Sequence, residues 1–185
     1  VGERILASLF SATTARTAGF NSVDTGSLTS ASKLLTCVLM FIGGSPGSTA
    51  GGIKTTTIFI LVVSLWSGIT NRHKTAVFKR RFEDDAIKKA STVFTLNMFL
   101  AIFALFTILA ITDLSLSDVM FEVFSAIGTV GMTTGITRDL SSAARIIIMV
   151  LMFCGRVGSL SFALTFLQGK KDPPVYYPEE EISVG

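Results

Sequence analysis

The chain has 185 residues, 49% of them hydrophobic and only 16% charged, with a formal net charge of +3 and a mean hydropathy of +0.62. Soluble domains carry roughly a quarter charged residues. The deficit points to a membrane protein, and the charge is too mild to imply nucleic acid. Cys37 and Cys154 lie in apolar runs and His73 in a basic stretch. This argues for free buried thiols and against a disulfide or a zinc site.

The first stretch, VGERILASLFSATTARTAGF, has no initiator methionine or signal peptide and starts in the middle of a pattern. We expect a fragment or processed piece. ASKLLTCVLMFIGG and IFILVVSLWSGI follow, each too short to span a bilayer alone. One straight helix over 31–69 would reach roughly 58 Å, against a hydrocarbon core of roughly 30 Å. A span broken at IGGSPGSTAGGIKTT fits better. That loop looks like a phosphate-binding loop, which needs Gly, four residues, then Gly-Lys-Ser/Thr. Counting from Gly47, the second glycine is Gly52, but Ile53 follows and Lys54 comes one position late. Nucleotide binding is therefore disfavoured.

The linker 70–90, rich in Lys and Arg, belongs in the cytoplasm by the positive-inside rule. Its FEDD at 82–85 reads as a solvated acidic patch. Residues 91–112 carry no charge and are long enough to span. TDLSLSD at 112–118 is then outside. SDVMFEVFSAIG, with Ser117 as expected N-cap, is too short to span and reads as a re-entrant helix. The run 141–167 is long enough, with Arg145 near its start and Arg156 in mid-span. An ionisable residue at that depth is a functional-site candidate. The polar, Pro-rich tail 169–185 should be cytoplasmic.

The sequence repeats itself. LTSASKLLTCVLMFIGG from Leu28 aligns without gaps on LSSAARIIIMVLMFCGR from Leu140, an offset of about 112 residues. Lys33 falls on Arg145, Gly43 on Gly155, Gly44 on Arg156 and Gly19 on Gly131. Upstream, FSATTARTAGF and FSAIGTVGM share Phe-Ser-Ala, with two extra residues in the first copy. Each copy reads as re-entrant helix, Thr-x-Gly turn, spanning helix, in the same direction. The second copy also has a preceding spanning helix.

A re-entrant helix followed by Thr-x-Gly is the arrangement of a cation selectivity filter. Glycine permits backbone angles that aim successive carbonyls at one axis, replacing an ion's water. Asp24, Asp113, Asp118 and Glu122 near the outer side could raise local cation concentration. The plainer reading makes Gly19 and Gly131 helix C-caps in surface loops.

TARTAGFNSVD, FIGGSPGSTAGGIKTTT, GTVGMTTGIT and FCGRVGSLSFAL together resemble the Trk/Ktr/HKT superfamily of potassium transporters, most nearly the bacterial KtrB type. The resemblance implies an all-α membrane protein of helix–pore-loop–helix repeats with re-entrant pore helices around an ion pathway. It assigns 1–69 to a repeat lacking its first helix and 91–168 to a complete repeat, the third and fourth of four. It makes Thr17, Ala18, Gly19, Thr129, Val130 and Gly131 the filter residues, binding potassium through backbone carbonyls. It puts Arg156 in the pore below the filter. The loop with Gly44, Ser45, Gly47, Gly51, Gly52 and Lys54 becomes a movable gate across the pore, over roughly 45–57. Lys54 is read as reaching toward the cytoplasmic side.

The same resemblance implies a non-enzymatic potassium uptake subunit of a bacterial plasma membrane, sodium-dependent, with no organic cofactor. It further implies a homodimer, an RCK-type nucleotide-binding regulatory ring in the cytoplasm, and an N-terminal half that this chain lacks. No residue marks a sodium site. The competing function is a secondary transporter with a midplane substrate site between broken helices, which leaves the two Thr-x-Gly turns unexplained.

Overall fold

The computed structural model describes residues 2–48, 50–70, 76–77 and 80–158. Helix α1 covers Gly2–Thr14, α2 Ser30–Phe41 and α3 Thr55–Ile69. Two-residue strands β1, Ala76–Val77, and β2, Arg80–Arg81, pair antiparallel. Then come α4, Asp84–Ile111, and α5, Leu116–Ile127, a 3-10 turn at Ile136–Arg138, and α6, Ser142–Val157. The expected helical architecture is present, with the strand pair as an addition inside the basic linker. The remainder of the 141–167 span, the tail 169–185 and His73 lie outside the described residues.

Three sequence expectations shift. The helix expected at 91–112 starts at Asp84, because Glu83, Asp84 and Asp85 put negative charge at its N-terminus. The acidic patch is thus the first turn of a helix, and Arg81 bridges to Asp84 at 3.1 Å. The N-cap of α5 is Ser115, not Ser117: its hydroxyl accepts from the Asp118 amide. Ser117 sits one residue inside the helix. The break between α2 and α3 covers 42–54, slightly earlier than 45–57.

The duplication extends to the helix caps. Thr29 caps α2 by accepting from the Ser32 amide, and Ser141 caps α6 by accepting from the Ala144 amide. These caps stand 112 residues apart, so both helices start at the same point of the repeat.

Among the described residues, α4 is the one helix long and apolar enough to cross a membrane. Its 28 residues reach about 42 Å. Small residues Ala101 and Ala104, with Ile108, turn inward, while Phe99, Ile102, Phe103 and Phe106 are exposed. Large apolar side chains are also exposed on α2, α3 and α6, as lipid contact requires.

Helix α5 is the hub. It packs against α2, α4 and α6, and α3 lies along α4. Its Val119, Phe121, Val123, Ala126 and Ile127 are buried. Phe41 of α2 meets Phe124 of α5 edge-on at 5.4 Å between ring centres, and Phe94 of α4 at 5.9 Å. Cys37 and Cys154 are free and buried, as expected.

Glu122, also buried on α5, accepts hydrogen bonds from the Thr133 and Thr137 hydroxyls. Thr133 in turn accepts from the Gly135 amide at 2.9 Å. One carboxylate therefore holds the segment that returns after the second Thr-x-Gly turn.

Phe121 is fully buried and Phe106 is 73% exposed. Phe121→Ala should cost about 3–5 kcal/mol and lower the thermal midpoint of the detergent-solubilised protein. Phe106→Ala should leave that midpoint nearly unchanged; equal effects would contradict this core. Glu122→Ala should speed amide hydrogen exchange over 133–137, while Glu122→Gln, which keeps an acceptor, should protect that segment.

Candidate ion-pathway site

The two Thr-x-Gly turns share one backbone shape. Thr17 and Thr129 have φ of +63° and +52°, and Gly19 and Gly131 have +75° and +86°. A β-branched residue at positive φ is a true outlier, costing on the order of 1–3 kcal/mol. Both copies carry that strain at the same repeat position. The C-cap of α5 is Gly128, so Gly131 is not the helix terminator.

Each turn is held by its own helix. The Ala18 and Gly19 amides donate to the Thr14 carbonyl at 3.2 and 3.0 Å, and the Val130 amide donates to the Ser125 carbonyl at 2.9 Å. The buried Thr14 hydroxyl accepts from the Phe20 amide at 2.7 Å and donates to the Phe20 carbonyl at 2.8 Å. The turns also touch. A Cβ on Gly19 would overlap the Val130 carbonyl oxygen, so only glycine lets the two backbones lie this close. Beyond them the Thr25 hydroxyl donates to the Thr133 carbonyl. A hollow of about 360 Å³ opens there between Asn21–Thr25 and Thr133–Gly135.

The Gly-rich loop packs against the second turn. Its neck is closed by backbone bonds from Gly43 to the Ile53 carbonyl, 2.8 Å, from Ile53 to Phe41, 3.2 Å, and from Thr55 to Gly44, 3.2 Å. At its tip Ser48 bonds back to the Ser45 carbonyl around Gly47, whose φ is +79°. The Gly51 amide donates to the Thr129 hydroxyl at 3.1 Å. A side chain at Gly51 would collide with Thr129. The Lys54 ammonium folds back on its own loop and donates to the Ser48 and Ala50 carbonyls. Those carbonyls leave regular structure, and Lys54 supplies them with a donor.

Gly155 of α6 abuts the Ile127 carbonyl and the Thr129 methyl, again with no room for a Cβ. Arg156 follows it in the last turn of α6, with its side chain exposed in this chain. Thr129 thus sits between the Gly-rich loop and the α6 end that carries Arg156. Gly44, Ser45, Gly47, Gly51, Gly52 and Lys54 all fall within that loop, and of the six turn residues Thr129 is the one that touches it.

The expected acidic attractors divide. Asp118 is paired with Lys33 at 2.8 Å, and Glu122 is buried under two threonine hydroxyls. Neither is a free surface charge. Asp24, which accepts from the Gly26 amide at 3.1 Å, and Asp113 are exposed. The sequence reading missed Thr14, the Thr129 hydroxyl and the tethering role of Glu122. Only Glu122 left a signal, as an ionisable residue within the apolar run Val119–Phe124.

Comparison with known proteins places this geometry. The family model described as TrkH, cation transport protein, matches residues 1–172. The chain is 37% identical to the Ktr system potassium uptake protein B of Bacillus subtilis, over 99% of this chain and 41% of that protein. It is 37% identical to the potassium/sodium uptake protein NtpJ of Enterococcus hirae, over 99% of this chain and 42% of that protein. Its fold matches the crystal structure of the potassium transporter TrkH from Vibrio parahaemolyticus, with a TM-score of 0.68 at 21% identity. That match covers 88% of this chain and 36% of TrkH. The chain spans about two fifths of the length of the curated relatives it matches. It belongs to the TrkH family of membrane cation transport proteins.

Proposed function

We propose that this chain forms half of the ion pathway of a potassium uptake transporter. The observation that carries the proposal is the pair of strained turns, 112 residues apart and in backbone contact, with the Gly-rich loop bonded to one of them. Thr17, Ala18, Gly19, Thr129, Val130 and Gly131 supply the backbone carbonyls that replace a potassium ion's hydration shell. Among the described residues no three His, Cys, Asp or Glu gather to hold a metal. A chain of carbonyl oxygens fits weak, rapid binding of a monovalent cation, which conduction needs. One glycine per segment orders fewer carbonyls and gives modest discrimination against sodium. The names of the relatives, one potassium and one potassium/sodium uptake protein, support potassium as cargo with sodium also involved.

Loop 43–54 acts as the gate. Its glycines allow rearrangement, Lys54 and the neck bonds define the closed form, and the Gly51–Thr129 bond latches it to the filter. Arg156 adds a fixed positive charge below the filter that opposes a lingering cation. The linker 70–90 and the tail face the cytoplasm, where they meet a nucleotide-binding regulatory ring. The working unit is a homodimer in a bacterial plasma membrane, each protomer completed by a further pair of repeats.

Radiolabelled potassium or rubidium uptake by the full-length transporter, in a strain that requires added potassium, tests the reading. No uptake above background from well-expressed protein would refute it. Gly131→Ser should reduce potassium-over-sodium preference about tenfold, equivalent to about 1.4 kcal/mol; an unchanged preference removes Gly131 from the filter. Thr129→Val is isosteric and lacks the hydroxyl that accepts from Gly51. A hydrogen bond contributes about 1 kcal/mol net, so flux should rise about fivefold at equal protein level. Unchanged or reduced flux counts against the latch.

A further inference from the structure

Helix α4 is graded along one face. Its 28 residues reach about 42 Å, so a hydrocarbon core of roughly 30 Å leaves about eight of them outside. Charge is confined to the start: Asp84, Asp85, Lys88 and Lys89 are followed by an uncharged run to Ile111. Lys88 therefore stands at headgroup depth. Ser91, Thr92 and Thr95 follow it at helical spacing on the same face, then Phe99, and all five are exposed. A hollow of about 720 Å³ runs along Lys88, Ser91, Thr92, Thr95, Leu96 and Phe99. Phe99 and Phe103 stack with ring centres 6.3 Å apart, which continues that wall in apolar form.

Two features set this face apart from ordinary lipid contact. Hydroxyls on membrane helices can turn back on their own helix. Thr92 does so to the Lys88 carbonyl at 2.9 Å, and Thr107 to the Phe103 carbonyl at 2.7 Å. Ser91 and Thr95 have no hydrogen-bond partner among the described residues, although both lie beyond the last charge at the helix start. An unpaired polar group is costly at that depth, so both hydroxyls call for a ligand. Lys88 is open in the same sense. Asp84, one turn before it, is taken by Arg81 at 3.1 Å, and Lys88 makes no ion pair among the described residues. The charges nearest to it in sequence, Asp85 and Lys89, offset each other.

We propose that Lys88, Ser91 and Thr95 bind an anionic glycerophospholipid of the cytoplasmic leaflet. Its phosphate pairs with Lys88, its ester carbonyls accept from the two hydroxyls, and an acyl chain lies along Phe99 and Phe103. The inference rests on the proposed function for one point, that α4 begins on the cytoplasmic side. Charge selects the ligand. Residues 70–90 hold seven of the chain's 16 Lys and Arg but three of its 13 acids, so this end of α4 attracts anionic headgroups. Order selects it too. Cation, hydroxyls and aromatic rings follow one another along the helix as phosphate, esters and hydrocarbon do along a lipid. Helix side chains tilt toward the N-terminus, which draws the Lys88 ammonium to the headgroup layer. A cytoplasmic protein would meet Lys88 but not Thr95, which lies about 10 Å deeper along the helix.

The test is photolabelling of the full-length transporter in nanodiscs. The discs hold phosphatidylcholine with a minor share of a photoreactive phosphatidylglycerol, its diazirine near the top of an acyl chain. In a second set a matched photoreactive phosphatidylcholine replaces it. Mass spectrometry of the labelled peptides should place the phosphatidylglycerol probe on residues 91–103 well above the matched probe. Lys88→Gln should lower that labelling about fivefold, which is about 1 kcal/mol. Thr95→Val should also lower it, while Lys88→Arg and Lys89→Gln should leave it unchanged. Excess inorganic phosphate should not compete, because the acyl chain is part of the ligand. Equal labelling by both probes overturns the site, as does unchanged labelling of the Lys88→Gln or Thr95→Val protein. An equal loss from Lys89→Gln, or displacement by free phosphate, overturns it as well. Rubidium uptake by the unmodified transporter keeps the two readings apart. Uptake with equal labelling sinks the lipid site alone, and selective labelling without uptake sinks only the transport reading.

Discussion

Backbone amides and carbonyls that leave a helix inside a bilayer have no water to bond to. That constraint governs everything around α5. The helix is too short to cross, so the chain must turn at its C-terminal end while still surrounded by apolar groups. The turn is met by protein: Val130 bonds to Ser125, and Gly51 bonds to Thr129. The loop that interrupts the α2–α3 span faces the same demand. It answers by bonding across its own neck and by folding Lys54 over its carbonyls. Two irregular segments thus satisfy each other, and this is why the loop and the turn occur together.

The same constraint explains the glycines. Backbone groups can pair at this depth only when chains come very close. Gly19 lies against the Val130 carbonyl, and Gly155 lies against the Ile127 carbonyl. A side chain at either position would push the two backbone segments apart. Thr17 and Thr129 show the cost, since both hold a conformation that β-branched residues avoid. Strain of this kind persists where the surroundings over-determine it. Around Thr129 the surroundings are α5, the loop and the end of α6.

Much of the fold was legible because a duplication was written in the letters. Val38-Leu39-Met40-Phe41 recurs as Val150-Leu151-Met152-Phe153, and the matched caps Thr29 and Ser141 show that the repeat holds to the residue. Boundaries were read less well. The start of α4 depended on Glu83, Asp84 and Asp85 acting on a helix dipole, an effect that an eye for apolar runs passes over. Ser115 displaced Ser117 as the cap because two serines two residues apart compete, and backbone geometry chooses between them. Lys54 and Asp118 were read as open charges, because the side chains and carbonyls that engage them are distant or unremarkable in sequence.

By itself the sequence determined a membrane-embedded, helical, duplicated chain with a glycine turn in each copy and a broken span between them. Hydropathy, length and repetition are local or self-referential properties, so they survive without coordinates. Only the tertiary structure decided which groups meet. It brought Gly51 to Thr129 across 78 residues, Lys33 to Asp118 across 85, and Thr25 to Thr133 across 108. Such contacts arise from packing two repeats around one short buried helix. No local pattern encodes them, because each partner's chemistry is ordinary until the other is placed beside it.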